Sequence, residues 1–276
     1  MLFNIHTHSE HSHDAKARLA DLCEQALAEG LAGFAVTDHC DCECAADPMA
    51  FSSLTDSYED CRKFKERYHG QLVIACGVEI GEALYNPAFA EKVIASRPWD
   101  VVLGSVHAVR VPDWEMPFSL IDFTAFSDEF IRQYLHVYFD DLKEMAQTQD
   151  YDVLCHLTVP LRYICGKFHR AVDLSEFDGK IDEILKTVIE RHKTLEVNTS
   201  GCTPERNLFM PDEAILDRYL AFGGNNLTVG SDAHVTERLT NGLEQAAEML
   251  KRKGILHLTY YLNRMPVQYQ LQQNIL

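Results

Sequence analysis

Residues 227–234 read LTVGSDAH. The apolar, β-branched run Leu227–Ser231 is too short for a helix and has the composition of a buried strand. At its carboxyl end come a carboxylate, Asp232, and an imidazole, His234. The same arrangement recurs along the chain. Leu2–His6 runs into His6-Thr7-His8, and Gly33–His39 ends in Thr37-Asp38-His39. Leu72–Ile80 carries Glu79 in GVEIG, Val101–His107 ends as GSVH, and Asp152–Leu157 contains His156 in VLCHL. Thr194–Thr199 reads as the sixth strand of this series of seven. Stretches with apolar residues at helical spacing separate the strands. Leu19, Leu22, Ala26 and Leu27 share one face before Gly30 stops their helix; Phe130, Tyr134, Val137 and Leu142 form another such face, as do Ile181, Leu185, Val188 and Ile189. Alternating strands and helices imply parallel strands joined by crossover helices. Seven such units in 276 residues approach a closed (β/α) barrel, which typically takes about 250 residues. No Pro/Gly/Ser linker divides the chain, so one α/β domain over residues 1–276 is expected. The tail from His257 reads as an eighth short strand or a cap.

In a parallel barrel the carboxyl ends of all strands meet at one rim. His6, His39, His107, His156 and His234, with Glu79 and Asp232, would therefore converge on one pocket. His8 would point to the same side as His6. One histidine at a strand end is more often a hydrogen-bonded structural residue than a ligand. Six strands ending in imidazole or carboxylate are not six independent accidents. This is the ligand set of Zn²⁺, Mn²⁺ and Fe²⁺, and it exceeds the needs of one ion, so two or three divalent cations are expected, with Glu79 as the bridge.

Charge and composition narrow the function classes. There are 25 Lys and Arg against 42 Asp and Glu, a net charge of −17. That balance disfavours a nucleic-acid polymer as partner and suits a site holding several cations. The longest apolar run, Leu72–Cys76, has five residues, far short of the roughly 18 needed to span a bilayer. MLFNIHTHSE has neither a basic segment nor an apolar signal core, so a cytoplasmic protein is expected. The nine cysteines are irregularly spaced and read as reduced thiols. Cys40, Cys42 and Cys44 could hold a soft metal but lack the spacing of a zinc knuckle; an exposed loop of small polar residues is the simpler reading.

Taken in order, HTH, TDH, GVEIG, GSVH, the His156 strand and GSDAH resemble the polymerase and histidinol phosphatase (PHP) superfamily of phosphoesterases. LEVNTSG at 195–201 and FGGNNLTVGSDAH at 222–234 resemble its histidinol-phosphatase branch. The resemblance implies a distorted (β/α)7 TIM-like barrel with a three-metal centre. Carried over residue by residue, it implies that His6, His8, Glu79 and Asp232 hold one metal and that Glu79, His107 and His156 hold a second. His39 and His234 would hold the third with Asp14, six positions after the second histidine of HxH; His13, next door, is the rival.

Phosphate monoesters hydrolyse very slowly unaided, so catalysis must supply a nucleophile and neutralise charge. Two ions about 3.5–4 Å apart can do both, by acidifying a bridging water and clamping phosphoryl oxygens. Arg162 and Arg206 lie in loops expected on the rim, where an arginine fork suits a phosphate as well as an ordinary salt bridge. Asp232, His234 or a water would give the leaving alkoxide its proton. Asp38 either orients His39 from behind or is simply a polar residue at a strand mouth. The absence of a Walker lysine motif or a GxSxG elbow argues against nucleotide-switch and acyl-enzyme chemistry. The branch resemblance implies a small phosphorylated substrate, L-histidinol phosphate in histidine biosynthesis. Its amine and imidazole would favour rim carboxylates such as Asp41, Glu43, Asp113 and Glu115. The alternatives are another small phosphate ester, such as a nucleotide, or a metal-holding module without turnover. The sequence does not fix the oligomeric state.

Overall fold

The computed structural model describes residues 1–42, 48–111, 116–204 and 206–271, and side chains for all of these except 48–52. Barrel strands β1 (Phe3–Thr7) and β2 (Gly33–Val36) are followed by β3 (His39–Asp41), then β4 (Val73–Gly81), β5 (Val101–Ser105), β6 (Val153–Leu154), β7 (Thr194–Asn198) and β8 (Leu227–Gly230). Every pairing among them is parallel, in the order β1-β2-β4-β5-β6-β7-β8, with β3 continuing alongside β4 beyond the end of β2. The circuit nearly closes: the amides of His8 and Asp232 donate to the carbonyls of Ala233 and His6, at 2.9 and 2.8 Å, across the β1–β8 seam. Seven parallel strands thus form the expected (β/α) barrel. The strand read over 33–39 breaks at Thr37-Asp38 into β2 and β3, and the His156 strand pairs over only two residues.

Helices α1 (Leu19–Ala28), α2 (Pro48–Arg67), α3 (Pro87–Ser96), α4 (Asp128–Thr148), α5 (Asp178–Glu190), α6 (Glu213–Ala221) and α7 (Leu243–Arg252) cover the barrel. Two of the faces read from spacing are rotated slightly. In α1, Cys23 is buried and Leu27 is exposed; in α5, Ile184 joins the core while Ile189 is half-buried.

Strand alternation separates two apolar layers. Phe34, Val36, Ile74, Cys76, Val78 and Ile80 face outward under the helices, whereas Phe3, Ile5, Ala35, Ala75, Val101, Leu103, Val153 and Cys155 fill the barrel. One irregularity matters for the site. Asn4 pairs with Phe34 but Thr7 with Val36, so β1 holds one more residue than β2 over this span. Such a bulge resets the alternation. Ile5 lies in the barrel core, yet His6, the next residue, also reaches inward to Glu79 and Glu196.

Of the two readings of the tail, the cap holds and the eighth barrel strand does not. Strands β9 (His257–Leu262) and β10 (Met265–Gln270) make an antiparallel hairpin that plugs the amino-terminal mouth. Tyr260 stacks on Phe3, and the Tyr261 hydroxyl is 2.7 Å from Thr194 Oγ1. Arg264, at the turn, bonds the carboxylates of Asp150 and Asp152. Among the described residues no helix is long and apolar enough to cross a membrane.

Candidate metal centre

At the opposite mouth the strand ends bring their polar residues together. Glu79 is fully buried at the centre. Its Oε1 lies 3.0 Å from His156 Nε2 and 3.2 Å from His107 Nε2. Its Oε2 lies 2.9 Å from His39 Nδ1, 3.2 Å from His6 Nε2 and 3.5 Å from His8 Nε2. Backbone register sets part of this geometry: His39 of β3 pairs directly with Glu79 of β4. Asp232 Oδ1 is 3.2 Å from His8 Nε2, 3.5 Å from His234 Nδ1 and 3.8 Å from His6 Nε2. Farther out, Asp14 reaches His234 at 3.2 Å and His39 at 3.7 Å.

The donor set suits divalent cations. The sets His6–His8–Asp232, His6–Glu79–His156, His39–Glu79–His107 and His8–His39–His234 each offer ligand atoms within 4.8 Å of one another. The Nε2 atoms of His6 and His8 are 3.1 Å apart, and those of His107 and His156 3.4 Å. Two imidazole lone pairs that close repel unless a proton or a cation lies between them. Backbone strain marks the same place: His156 and Asp232 have φ of 21° and 51°, a region that residues with side chains rarely adopt.

Protons hold the charge balance in the metal-free cluster. Burial works against a charged His39, but Glu79 outweighs it and raises the ring to about 9. His6 and His107 are raised well above the usual imidazole range against the same burial, His6 chiefly by Glu196 and His107 chiefly by Glu79. Burial pushes the Glu79 and Asp232 carboxyls up, yet the imidazoles around them, with His6 foremost, carry both well below the usual carboxylate range. His8 goes the other way, lowered by burial and by its neighbours His39 and His234.

The residues expected at the site divide clearly. His6, His8, Asp14, His39, Glu79, His107, His156, Asp232 and His234 all converge. His13 is exposed on the cavity rim, its ring 5.4 Å from that of His39. Arg162 lines the cavity, with Nη1 3.1 Å from Ser200 Oγ and 3.4 Å from Asp232 Oδ2. Arg206 does not join it: its exposed side chain lies against the Cys165 carbonyl at 3.5 Å. Asp41 lines the cavity 3.5 Å from His107 Nδ1; Glu43, Asp113 and Glu115 lie outside the described residues. Cys40, in β3, and Cys42, just past its end, are both buried in the core, so the exposed-loop reading is corrected for both; Cys44 lies outside the described residues. His169 is exposed and not among the residues lining the cavity.

Two buried carboxylates back the ligands. The first was not singled out in the sequence. Glu196 Oε1 is 2.9 Å from His6 Nδ1, and Oε2 accepts the His156 amide at 2.8 Å. Its only signal is a charged residue alternating with Leu195 and Val197 in a strand. Gly230 makes room for it, since a Cβ there would lie 2.1 Å from Glu196 Oε1. The second, Asp38, does not orient the His39 ring; it accepts bonds from Ser9, Ser12 and Ser57.

This constellation agrees with a match over most of the chain to a known family, the PHP domain, which covers residues 4–200. The chain belongs to the PHP domain family. Within it, the chain is 27% identical to the probable histidinol-phosphatase of Thermotoga maritima over 93% of its length and 94% of the relative's. It is 25% identical to the histidinol-phosphatase of Lactococcus lactis, covering 94% of this chain and 93% of that one. Two solved structures share its fold. The Lactococcus lactis histidinol phosphate phosphatase, crystallised with zinc, L-histidinol and phosphate, gives a TM-score of 0.73 at 20% identity over 96% of this chain and 98% of that one. A Listeria monocytogenes protein gives 0.76 at 18% identity over 88% and 99%.

Proposed function

We propose that this PHP protein is a metal-dependent phosphomonoesterase acting on L-histidinol phosphate, releasing L-histidinol and phosphate. The observation that carries the metal chemistry is Glu79, one oxygen facing His107 and His156 and the other facing His6, His8 and His39. A carboxylate so placed would hold cations on both of its oxygens, and two or three Zn, Mn or Fe ions would match the donor count. When bound, such ions polarise phosphoryl oxygens and acidify water. Arg162 on the cavity wall would take a phosphoryl oxygen, with Ser200 and Asp232 steadying its guanidinium. Asp232 and His234 both line the cavity; Asp232, held well below the usual carboxylate range, would act as an acceptor, so the proton for the leaving alkoxide would come from His234 or a water.

The substrate assignment draws on the relatives named histidinol-phosphatase and on the shape of the cavity. Its volume is about 290 Å³, with Pro117, Phe118, Leu120, Val159 and Tyr163 forming a wall beside the ligand cluster. That is the low end for a small-molecule pocket, suited to a compact phosphate ester with a flat ring. Asp41 would face the substrate's cationic end. Steady-state kinetics test this: kcat/KM on histidinol phosphate should exceed that on any nucleoside monophosphate at least about tenfold, ~1.4 kcal/mol of transition-state binding. Equal turnover of a nucleotide would reject the assignment while leaving the phosphatase chemistry in place.

A further inference from the structure

Ser12 stands behind the ligand cluster, 5% exposed, with three polar neighbours around one hydroxyl. The His39 amide donates to its Oγ at 3.0 Å. Asp38 Oδ1 lies 3.0 Å away, and His8 Nδ1 3.2 Å away. The hydroxyl has one proton and two lone pairs. The His39 N–H takes one lone pair, and the Asp38 carboxylate has no proton to give. The Ser12 proton must therefore go to Asp38, leaving the second lone pair for His8 Nδ1. The opposite choice, Ser12 donating to His8, would set two oxygen lone pairs against each other at 3.0 Å in a site closed to water.

We infer that Ser12, oriented by Asp38, is a positioning residue that fixes His8 as its Nδ1–H tautomer. The Nε2 lone pair is then directed at the point shared by Asp232 Oδ1, His6 Nε2 and Glu79 Oε2. The inference rests on reading that point as a cation site; the bonds of Ser12 select this tautomer against the pull of Asp232 Oδ1, 3.2 Å from Nε2. Asp38 is well suited to impose the order. Its Oδ1 also accepts the Ser9 amide at 2.6 Å, and Oδ2 accepts the hydroxyls of Ser9 and Ser57 at 2.7 and 2.5 Å. Ligating histidines commonly bond their other ring nitrogen to a carboxylate or carbonyl directly. Here a serine lies between, so the tautomer depends on which way one hydroxyl points.

The test uses the full chain, labelled with ¹⁵N-histidine and freed of metal with a chelator, in mildly alkaline buffer. Two-bond ¹H–¹⁵N correlation reports which nitrogen of His8 carries the proton, and a competitive chelator titration reports Zn²⁺ affinity. The parent protein should show His8 protonated at Nδ1. Ser12→Ala and Asp38→Ala should populate the other tautomer and weaken Zn²⁺ binding about 10–100-fold. Asp38→Asn should keep both properties near those of the parent, because the Ser9 N–H holds an amide oxygen at the Oδ1 position and Ser12 still has its acceptor. A role in packing alone would lower stability in these variants without moving the tautomer. A parent that binds Zn²⁺ with His8 protonated at Nε2 would overturn this proposal and spare the metal reading. A parent that fails to bind Zn²⁺ would overturn both.

Discussion

Asp14 Oδ2 stands 3.2 Å from His234 Nε2, and its other oxygen 3.7 Å from His39 Nε2. A loop after the first strand thus meets the last barrel strand beside the second, and its carboxyl is held low by those two imidazoles against the opposing effect of burial. Asp14→Ala should weaken the outermost cation at least about tenfold and leave the ions around Glu79 bound. His13→Ala should be nearly silent, since its ring stops 5.4 Å from that of His39 whereas Asp14 pairs with both His39 and His234. Elemental analysis with a competitive metal titration checks both; loss of the ion in His13→Ala alone would reassign the ligand.

Glu79→Ala should remove more than one equivalent of metal, because both of its oxygens face separate histidine sets. Loss of only one equivalent would show that it does not bridge.

Metal loading should release protons. His39 is raised to about 9, and His6, His107 and His234 are also raised. At neutral pH the metal-free centre therefore holds protons that a cation must displace. Apparent Zn²⁺ affinity should climb as pH rises toward about 9 and fall in acid. Calorimetry in buffers of different ionisation heat counts the protons; none released at neutral pH would contradict the prediction.

Gly230→Ala tests the support behind His6. The new methyl group would lie 2.1 Å from Glu196 Oε1 and 2.6 Å from His6 Cβ. The clash should cost about 1–3 kcal/mol of stability and lower metal content, read by thermal melting and elemental analysis. Unchanged metal content would show that Glu196 does not position His6.

Arg264 ties the hairpin plug to the barrel. Its guanidinium bonds Asp150 at 2.7 Å and Asp152 at 2.9 Å, so Arg264→Ala should cost about 2 kcal/mol in denaturant unfolding. Hydrogen bonding to Arg264 is the main cause of the lowered Asp150 carboxyl. A lowered carboxylate stabilises the fold above its unfolded value and loses that contribution as pH falls through the folded one. The variant should therefore lose less stability on acidification than the parent, and an identical acid profile would show that the pair contributes nothing.

The amino-acid sequence by itself determined the barrel and the rim at which its polar strand ends meet. Parallel strands joined by helices must point their carboxyl ends the same way, so His6, His39, Glu79, His107, His156 and Asp232 could be placed at one rim before any contact was known. Asp14 came from the family resemblance, which implies a ligand six residues past HxH. Tertiary structure alone decided what surrounds them. Glu196 is a single charge in an apolar strand until β8 brings Gly230 against it. Asp38 looked like a partner for His39, but the fold folds Ser9, Ser12 and Ser57 onto it instead. Arg162 and Arg206 were equal in sequence, and packing sends one to the cavity wall and the other to the Cys165 carbonyl. The bulge in β1 that aims His6 inward, and the hairpin that plugs the far mouth, likewise have no local signature. Strand direction follows from the order of elements along the chain, whereas side-chain direction depends on register and on which neighbour leaves room, and those are set only when distant segments pack.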